Sequence, residues 1–243
     1  MRKKIRIEFL FPEAADLFGE LGDMDYLQQI FPRGEFIRTQ IMQKPFFIEN
    51  DCDLVFMAPR SERVQALALE RLMPYKEAIR RKVEDGMHFL FLGNAQELFG
   101  AYIEADDGSK MPCLDIFPIY AKQQMMNRLS SLFLGDKDGL PIVGAKAQFT
   151  QLYETDPSRP VPAFCEVRRG IGRHENAEKE GIHYKNFIGT SILGPFLLAN
   201  PPFTERWLKS LSGISYLKLP HADLAFKAYH KRLEELRDPR STL

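Results

Sequence analysis

Three cysteines, five histidines and Ser191 are the side chains that could supply a nucleophile or move a proton. Cys52, Cys113 and Cys165 are widely spaced and odd in number, which fits reduced thiols better than disulfides or a zinc site. Cys165 falls in an expected strand and Cys113 precedes an apolar run, so we expect buried, unreactive thiols at both positions. The sequence predicts no metal site and no cofactor.

The histidines and Ser191 give no clearer indication of a catalytic pair. A serine without a neighbouring base is a weak nucleophile, so we expect the Ser191 hydroxyl to bond backbone. His88 begins an apolar segment, and by strand parity it points away from that segment's far end. His174 and His183 flank a highly charged stretch, GRHENAEKEGIHYKN, which we interpret as a solvated loop rather than the site of a new base.

The first half of the chain alternates strand and helix signals. The predicted strands and helices would position the candidate side chains named above. Apolar segments predict a half-buried strand near the start and fully buried central strands further on. Such alternation is typical of a parallel sheet with right-handed crossovers. The predicted strands are Lys4–Phe11, Glu35–Gln40, Leu54–Met57 and His88–Phe91, with helices over Met24–Phe31 and from Pro74 to the residue before Gly86.

The second half reads as a mixed sheet followed by helices. We predict strands at Arg128–Leu134, Ile142–Tyr153 and Ala163–Arg169, and helices at Pro202–Leu211 and Ala222–Leu236. No repeat, low-complexity segment or long linker divides the chain. We therefore expect a single α/β domain over residues 1–243.

The composition indicates how large a core the chain can form and which kinds of partner it favours. Hydrophobic residues make up 44% and charged residues 27% of the 243, enough for one large core. The net charge is zero, so nothing favours nucleic acid or an anionic membrane as a partner. The sequence contains no run of about eighteen apolar residues, so it predicts no membrane-spanning helix. These features, with the reduced cysteines, indicate a cytoplasmic protein.

Residues 87–102, MHFLFLGNAQELFGAY, predict a buried strand, a tight turn and the start of a helix. Such an elbow usually presents a nucleophile or cradles a phosphate. Here the apex residue is Leu92, which can do neither.

Four segments together resemble the class I glutamine amidotransferases, in particular the cobyric-acid-synthase-like branch. The elbow, Leu92 to Gly100, resembles Cys-Gly-Gly-x-Gln-x-x-Gly, and the stretch Ala58 to Gln65 resembles Gly-Gly-Gly-Gln-Asp-Arg-x-Gln. Near the C-terminus Glu180-Gly181, Lys185-Asn186, Gly189 to Pro195 and Asn200-Pro201 are similar to Glu-Gly, Lys-Asn, Gly-Thr-Tyr-x-His-Gly-Pro and Asn-Pro. The stretch Leu17 to Asp23 is similar to Leu-Tyr-Gly-Asp-x-Gly-Asn, so the likeness spans most of residues 4–210. It implies a flavodoxin-like three-layer α/β sandwich, with a mixed, mostly parallel sheet and helices on both faces.

The same resemblance implies that the glutaminase chemistry is lost. The thiolate and imidazole positions are Leu92 and Leu193, and neither can attack or transfer a proton. The oxyanion turn is degenerate because Ala58, Pro59 and Arg60 replace its glycines, and Pro59 has no N–H to donate. The family's second histidine segment aligns loosely with residues 144–148, again without an imidazole.

Two residues that the resemblance places near the ligand survive, Gln96 and Arg128, and Gly93 and Gln148 are further ligand-binding candidates. An arginine can pair with a carboxylate, so Arg128 is a candidate for holding a small amino-acid-like ligand. The alternatives are a surface salt bridge for Arg128 and a helix-face amide for Gln96. With Leu92 and Leu193 at its mouth, such a cleft favours a ligand with an apolar end, or is closed.

These features predict a catalytically degenerate amidotransferase-like protein that acts as a non-hydrolytic partner or ligand-binding subunit. In the branch that it resembles, the partner is a Mur-ligase-like synthetase, so this or another synthetase subunit is the expected partner. The alternative is an active enzyme of the same superfamily, in cobyric acid or cell-wall precursor amidation, that uses other residues in the same cleft.

Overall fold

The structure of the protein is a computed structural model that describes residues 4–15 and 17–241. Its strands are β1 Arg6–Leu10, β2 Glu35–Thr39, β3 Leu54–Met57, β4 His88–Leu92, β5 Tyr102–Glu104, β6 Lys110–Pro112, β7 Ile119–Gln123, β8 Leu129–Lys137, β9 Leu140–Gln148, β10 Thr150–Glu154, β11 Cys165–Arg169, β12 Lys179–Glu180, β13 Ile182–Tyr184 and β14 Phe187–Thr190. Its α-helices are α1 Leu21–Ile30, α2 Glu62–Leu72, α3 Lys76–Glu84, α4 Phe196–Ala199, α5 Pro201–Ser212 and α6 Ala222–Arg237.

The main sheet has six strands in the order β13-β14-β4-β3-β1-β2. All neighbours are parallel except the edge pair β13 and β14. In the register of β4 and β14, Leu92 lies opposite Thr190. Because parallel strands end at the same edge, the segments that follow β3, β4 and β14 lie together.

Alternate residues of the central strands face two separate cores, as the pleat requires. Leu54 and Phe56 of β3 pack in the core covered by α1, α4 and α5. Val55 and Met57 pack in the core covered by α2 and α3. This arrangement confirms the predicted α/β architecture with helices on both faces.

The second half adds two four-stranded sheets, ordered β10-β7-β5-β6 and β12-β11-β8-β9. The longest pairing is the antiparallel hairpin of β8 and β9. Helix α6 packs on this hairpin through Tyr229, Leu233 and Leu236, which form one buried cluster with Val143. In the described part of the chain, no helix combines the length and apolar character needed to cross a bilayer.

Three sequence predictions need correction. The predicted strand Ile142–Tyr153 is two strands in different sheets, interrupted at Phe149. The helix expected after the elbow is a 3₁₀ helix over Gly93–Phe99. The charged stretch containing His174 and His183 is not simply a loop, because it carries β12 and β13.

Candidate functional site

A cavity of about 360 Å³ opens at the carboxyl edge of the main sheet. We call it the edge cavity; residues 17–18, 59–62, 65, 93–94, 97, 128, 147–150, 191 and 193 line it. It therefore lies among the segments that follow β1, β3, β4 and β14, together with the end of β9. This is where ligands bind in open α/β sheets.

The edge cavity brings together several residues that were singled out from the sequence. Its lining includes Pro59, Arg60, Gly93, Arg128, Gln148 and Leu193. Leu92, Gln96 and Ala58 do not line it, and their exposed fractions are 0%, 0% and 2%. Leu193, which we expect at the base position, thus lines the cavity, whereas Leu92, which we expect at the nucleophile position, is in the core.

The burial of Leu92 follows from the local backbone. Leu92 is extended, with φ −102° and ψ 148°, and packs in the core beneath α1, α4 and α5. Gly93 makes the turn instead, with φ +57°, a conformation that favours glycine. A Cβ on Gly93 would lie 2.5 Å from the Cβ of Pro59, so the Pro59 ring packs directly against the elbow.

The turn at Pro59 and Arg60 offers no backbone N–H to a ligand. Pro59 has none, and the Arg60 N–H is donated to Asn94 Oδ1 at 3.1 Å. Asn94 in turn donates Nδ2 to the Arg60 carbonyl oxygen at 2.6 Å. This reciprocal pair joins the turn to the elbow and occupies the donor that an oxyanion would need.

The Arg60 side chain is fully buried, with 0% of its surface exposed. Its Nη2 donates to the Ala58 carbonyl oxygen at 2.9 Å. Its Nε and Nη1 have no acceptor among residues 4–15 and 17–241. Burial lowers the pKa of Arg60 to about 10, against a smaller raising effect of Glu13, so the group stays charged at neutral pH.

Glu97 is the centre of a polar network that the sequence analysis missed. Its Oε2 accepts from Gln65 Nε2 at 2.7 Å, and its Oε1 accepts from the Thr150 hydroxyl. Burial raises the pKa of Glu97 to about 7, although both hydrogen bonds act in the opposite direction. Gln65 also donates to the Asn94 carbonyl oxygen at 2.7 Å. In the sequence, the one indication of this network was Glu97 itself, a charged residue within the largely apolar elbow.

Gln148 extends the network along the cavity wall. Its Nε2 donates to the Thr150 carbonyl oxygen at 2.7 Å. Its Oε1 is buried and has no donor in the part of the chain that the structure describes. The wall of the edge cavity thus contains one buried amide oxygen without a hydrogen-bond partner in the described residues.

Arg128 lies at the cavity between two aromatic rings. Its Cζ is 5.8 Å from the centre of the Phe18 ring and 5.6 Å from that of Phe149. Within the described residues it forms no ion pair with a carboxylate, so the alternative of a surface salt bridge is not what the structure contains. Cation–π contact with these two rings restrains the guanidinium while leaving its N–H groups available.

Carboxylates hold the loop that carries Leu193. Glu180 accepts from the Ser191 N–H at 2.8 Å, and Glu20 accepts from the Gly194 N–H at 3.2 Å. Glu180 is itself paired with Lys146, Nζ to Oε2 at 2.6 Å, and both side chains are almost fully buried.

Asp23 fixes the end of the same loop. It accepts from the N–H groups of Phe196 and Leu197, each at 2.8 Å, at the start of α4. Burial raises the pKa of Asp23 to about 8 despite these bonds. Glu20, Asp23 and Glu180 all come from segments that carry the resemblance described above, so those segments serve to position this loop.

Ser191 and Gln96 contact each other at the floor of the site. The Gln96 amide lies 2.7 Å from the Ser191 hydroxyl, so the expectation that this hydroxyl bonds backbone was wrong. Gly189 allows this approach, since a Cβ there would lie 2.8 Å from the Cβ of Gln96.

No cysteine or histidine is among the described residues that line the edge cavity. Burial raises the pKa of Cys52 and of Cys113 to about 12, and also raises that of Cys165. His88 begins β4, at the opposite end from the elbow, with its ring centre 6.4 Å from that of Trp207. Across residues 4–15 and 17–241, no three His, Cys, Asp or Glu side chains are grouped to hold a metal ion.

A comparison with known families identifies the scaffold. Residues 6–201 match the CobB/CobQ-like glutamine amidotransferase domain. The chain belongs to this family.

Two curated relatives match over most of their length. The chain is 30% identical over 209 residues to the lipid II isoglutaminyl synthase (glutamine-hydrolyzing) subunit GatD of Staphylococcus aureus (strain N315), covering 85% of this chain and 84% of the relative. It is 25% identical over 208 residues to the subunit of the same name from Streptococcus pneumoniae (strain ATCC BAA-255 / R6), covering 84% and 78%. The protein is thus glutamine amidotransferase-like and related to GatD.

Solved structures support the fold of this family member. A glutamine amidotransferase crystal structure matches with a TM-score of 0.55 at 11% identity, covering 85% of this chain and 99% of the other. A glutamine amidotransferase from Thermotoga maritima matches with a TM-score of 0.50 at 9% identity, covering 97% and 93%. The predicted flavodoxin-like class I amidotransferase fold is confirmed.

Proposed function

We propose that this chain is a single amidotransferase-like domain without glutamine hydrolysis, which acts as a ligand-binding partner of a synthetase subunit. The proposal rests on two leucines, Leu92 at the elbow apex and Leu193 in the loop after β14. Leu92 is wholly buried, and Leu193 presents an aliphatic side chain to the edge cavity. Neither can form a thioester with glutamine or move its proton.

The turn at Pro59 supports the same proposal independently. One oxyanion donor is worth roughly 3–4 kcal/mol in an acyl-transfer transition state. Here Pro59 lacks an N–H, and the Arg60 N–H already donates a hydrogen bond to Asn94 Oδ1. Loss of a triad nucleophile costs about a millionfold in turnover, and these effects overlap rather than add. Any one of them suffices to remove useful hydrolysis.

The retained family residues have roles that do not require catalysis. Glu20, Asp23 and Glu180 hold the loop through Leu193, and Gln96 supports Ser191. The fold at the carboxyl edge is therefore maintained by the very segments that carry the family likeness. This supports a scaffold kept for binding after its chemistry was removed.

The relatives supply the basis for the partner. Both are named as a subunit of lipid II isoglutaminyl synthase. We propose a Mur-ligase-like or other synthetase subunit as the partner of this chain. We further propose a small amino-acid-like ligand for the edge cavity, with Gly93, Arg128 and Gln148 among its contacts and Gln96 supporting the floor.

A second candidate function is an active enzyme that uses other residues in the same cavity. The observation that favours it is Glu97, a buried carboxyl group in the cavity wall whose pKa is raised to about 7. A group with such a pKa suits general acid–base chemistry near neutral pH. Both oxygens of Glu97 are occupied by Gln65 and Thr150, which favours a structural role and makes this the second candidate.

Covalent trapping tests the loss of the nucleophile. A chloroketone analogue of glutamine is incubated with the native chain, and intact mass reports any adduct. We expect no adduct at Cys52, Cys113 or Cys165, and reaction only after denaturation. Rapid, stoichiometric labelling of one cysteine in the native protein, protected by glutamine, would overturn the proposal.

Affinity purification of a tagged chain from its native cells tests the partner. We expect a synthetase-type chain to elute with it in equal amounts, and the complex to persist in gel filtration. Elution of the tagged chain as a monomer with no such partner would contradict the assignment as a subunit.

A further inference from the structure

We propose that the synthetase subunit docks in a groove between α6 and the β8–β9 hairpin, through a segment that combines aliphatic and acidic side chains. This inference rests on the proposed function, which requires a partner but assigns it no surface. We call this surface the α6 groove. Residues 221, 224–225, 228–229 and 232 form its helix side, and residues 132, 143–145, 193, 195 and 198–199 form the opposite side. Its volume is about 770 Å³, against about 360 Å³ for the edge cavity.

The α6 groove is open because the helix carries small side chains in its first half and large ones in its second half. Ala225 and Ala228 line the groove, whereas Leu233 and Leu236 pack in a buried cluster with the hairpin. Arg169 holds this second half in place, since its Nη1 donates to the Leu236 carbonyl oxygen at 2.8 Å. The gap beside the first half of α6 is therefore preformed, which lowers the cost of filling it with a partner.

The lining of the α6 groove is mostly aliphatic and accessible. Every lining residue on the side opposite α6 is glycine or an apolar residue. On the helix side Leu224 has 69% of its surface exposed, which is unusual for a large aliphatic side chain. Contiguous apolar surface of this kind marks interaction sites, and a groove beside a helix suits an amphipathic segment. The apolar part of the partner segment follows from this lining.

The charged groups of the α6 groove determine which sign of charge the partner should carry. Arg232 and His221 line the groove, and no Asp or Glu of the described residues does. The ion pair of Arg232 with Glu235 is long, at 3.6 Å, and 53% of the Arg232 side chain is exposed. Such a surface pair is worth little, so the guanidinium remains accessible to a better-placed carboxylate. An acidic side chain on the partner would be complementary to it.

Leu193 connects the α6 groove with the edge cavity. It lines both, and its N–H donates to the Ala145 carbonyl oxygen at 2.9 Å, which holds the loop against β9. A partner in the groove would thus contact the wall of the ligand cavity, which favours the subunit that responds to that cavity. A symmetric pair of copies fits less well, because each lining would face its own kind and neither contains a carboxylate for Arg232.

Substitutions in the α6 groove test the docking surface on the complex isolated from native cells. Leu224→Asp and Arg232→Glu should each weaken binding of the synthetase-type chain at least about tenfold, because both place a carboxylate where the partner brings its own. Lys227→Glu reverses a charge at an exposed position of α6 outside the groove and should bind as the wild type does. All three positions are exposed, so the free variants should melt within about 2 °C of the wild type.

Cross-linking tests the chemistry of the docked segment. A photoreactive cross-linker is attached to the thiol of Leu224→Cys, with Lys227→Cys as the control position and the wild type as the background for the native cysteines. After irradiation of the complex, mass spectrometry should identify, from Leu224→Cys above all, a synthetase peptide with aliphatic residues and at least one Asp or Glu. A main cross-link to a second copy of this chain, or to a peptide without an acidic residue, would overturn the inference.

The failure of this inference is distinguishable from failure of the proposed function. If the synthetase-type chain binds the wild type, Leu224→Asp and Arg232→Glu equally well, the partner stands and the α6 groove is the wrong surface. If the wild type binds no such chain, the proposed subunit role fails and the docking surface fails with it.

Discussion

Asn94 and Arg60 form a reciprocal hydrogen-bonded pair between the elbow and the turn after β3. The Asn94 side chain donates to the Arg60 carbonyl oxygen at 2.6 Å and accepts from the Arg60 N–H at 3.1 Å. In the resembling family the corresponding elbow residue is glycine, which has no side chain to make this bridge. The pair therefore joins the elbow to the turn and engages the Arg60 N–H that an oxyanion would otherwise need.

Asn94→Ala should destabilise the protein by about 1–3 kcal/mol, because two hydrogen bonds are lost and the Arg60 backbone is left unpaired. Urea denaturation followed by circular dichroism measures the change. Asn127→Ala, at an exposed position, is the control and should change stability by less than about 0.5 kcal/mol. Equal stability of the two variants would show that the bridge is unimportant to the fold.

Gly93→Ala should be strongly destabilising, for two reasons that a control can separate. The position has φ +57°, and the new Cβ would lie 2.5 Å from Pro59 Cβ. Gly108→Ala shares the positive φ, +82°, but has open space around its Cβ. The clash should make the first substitution worse than the second by about 1–3 kcal/mol, measured by the same denaturation. Adding Pro59→Gly to Gly93→Ala should recover part of this difference, and no recovery would contradict the contact.

Glu97→Gln should alter how stability depends on pH. Burial raises the pKa of Glu97 from its ordinary value of 4.5 to about 7, so the folded protein holds this proton where the unfolded chain has released it. The stabilising contribution of Glu97 to the free energy of unfolding is fully present below pH 4.5 and is lost as pH rises through 7. The variant should lack that loss, so its free energy of unfolding should fall less between pH 5 and 7.5. Glu70→Gln, on the exposed side of α2, should leave the wild-type profile unchanged, and a parallel profile for Glu97→Gln would refute the assignment.

Lys146→Met should destabilise the protein by about 3–5 kcal/mol, because Glu180 would remain as an unpaired buried charge. Glu180 also accepts from the Ser191 N–H, so the loop through Leu193 should loosen in this variant. Hydrogen exchange at residues 191–197 should therefore accelerate. The double variant Lys146→Met with Glu180→Gln should regain part of the stability, since a neutral amide can still accept that N–H. A double variant less stable than the single one would contradict this view of the pair.

The sequence allowed good prediction of the main sheet, for a physical reason. Buried parallel strands are covered on both faces and read as continuous apolar runs. The predicted strand Leu54–Met57 has the same bounds in the structure, and those of β1, β2 and β4 differ by one or two residues. The short strands β5 to β7 were missed because three to five residues rarely give a clear period. The break at Phe149 was missed because both flanking segments are extended and only their partners differ.

The polar side of the edge cavity could be predicted less well. Its hydrogen bonds join residues far apart in the chain, such as Thr150 to Glu97 and Gln65 to Asn94, which local patterns do not encode. The unsatisfied guanidinium of Arg60 likewise depends on what surrounds it. By contrast, the leucines at 92 and 193 were identified by their place within recognisable motifs. Their assignment to the nucleophile and base positions stays a prediction from those motifs.

The most direct test of the account is the release of ammonia from glutamine labelled with ¹⁵N at its amide. The purified chain of 243 residues is incubated with saturating glutamine, and ammonia is followed over hours against a blank without protein. The account predicts no release above the blank at any pH from 6 to 9. Saturable release that scales with the concentration of the chain would contradict it.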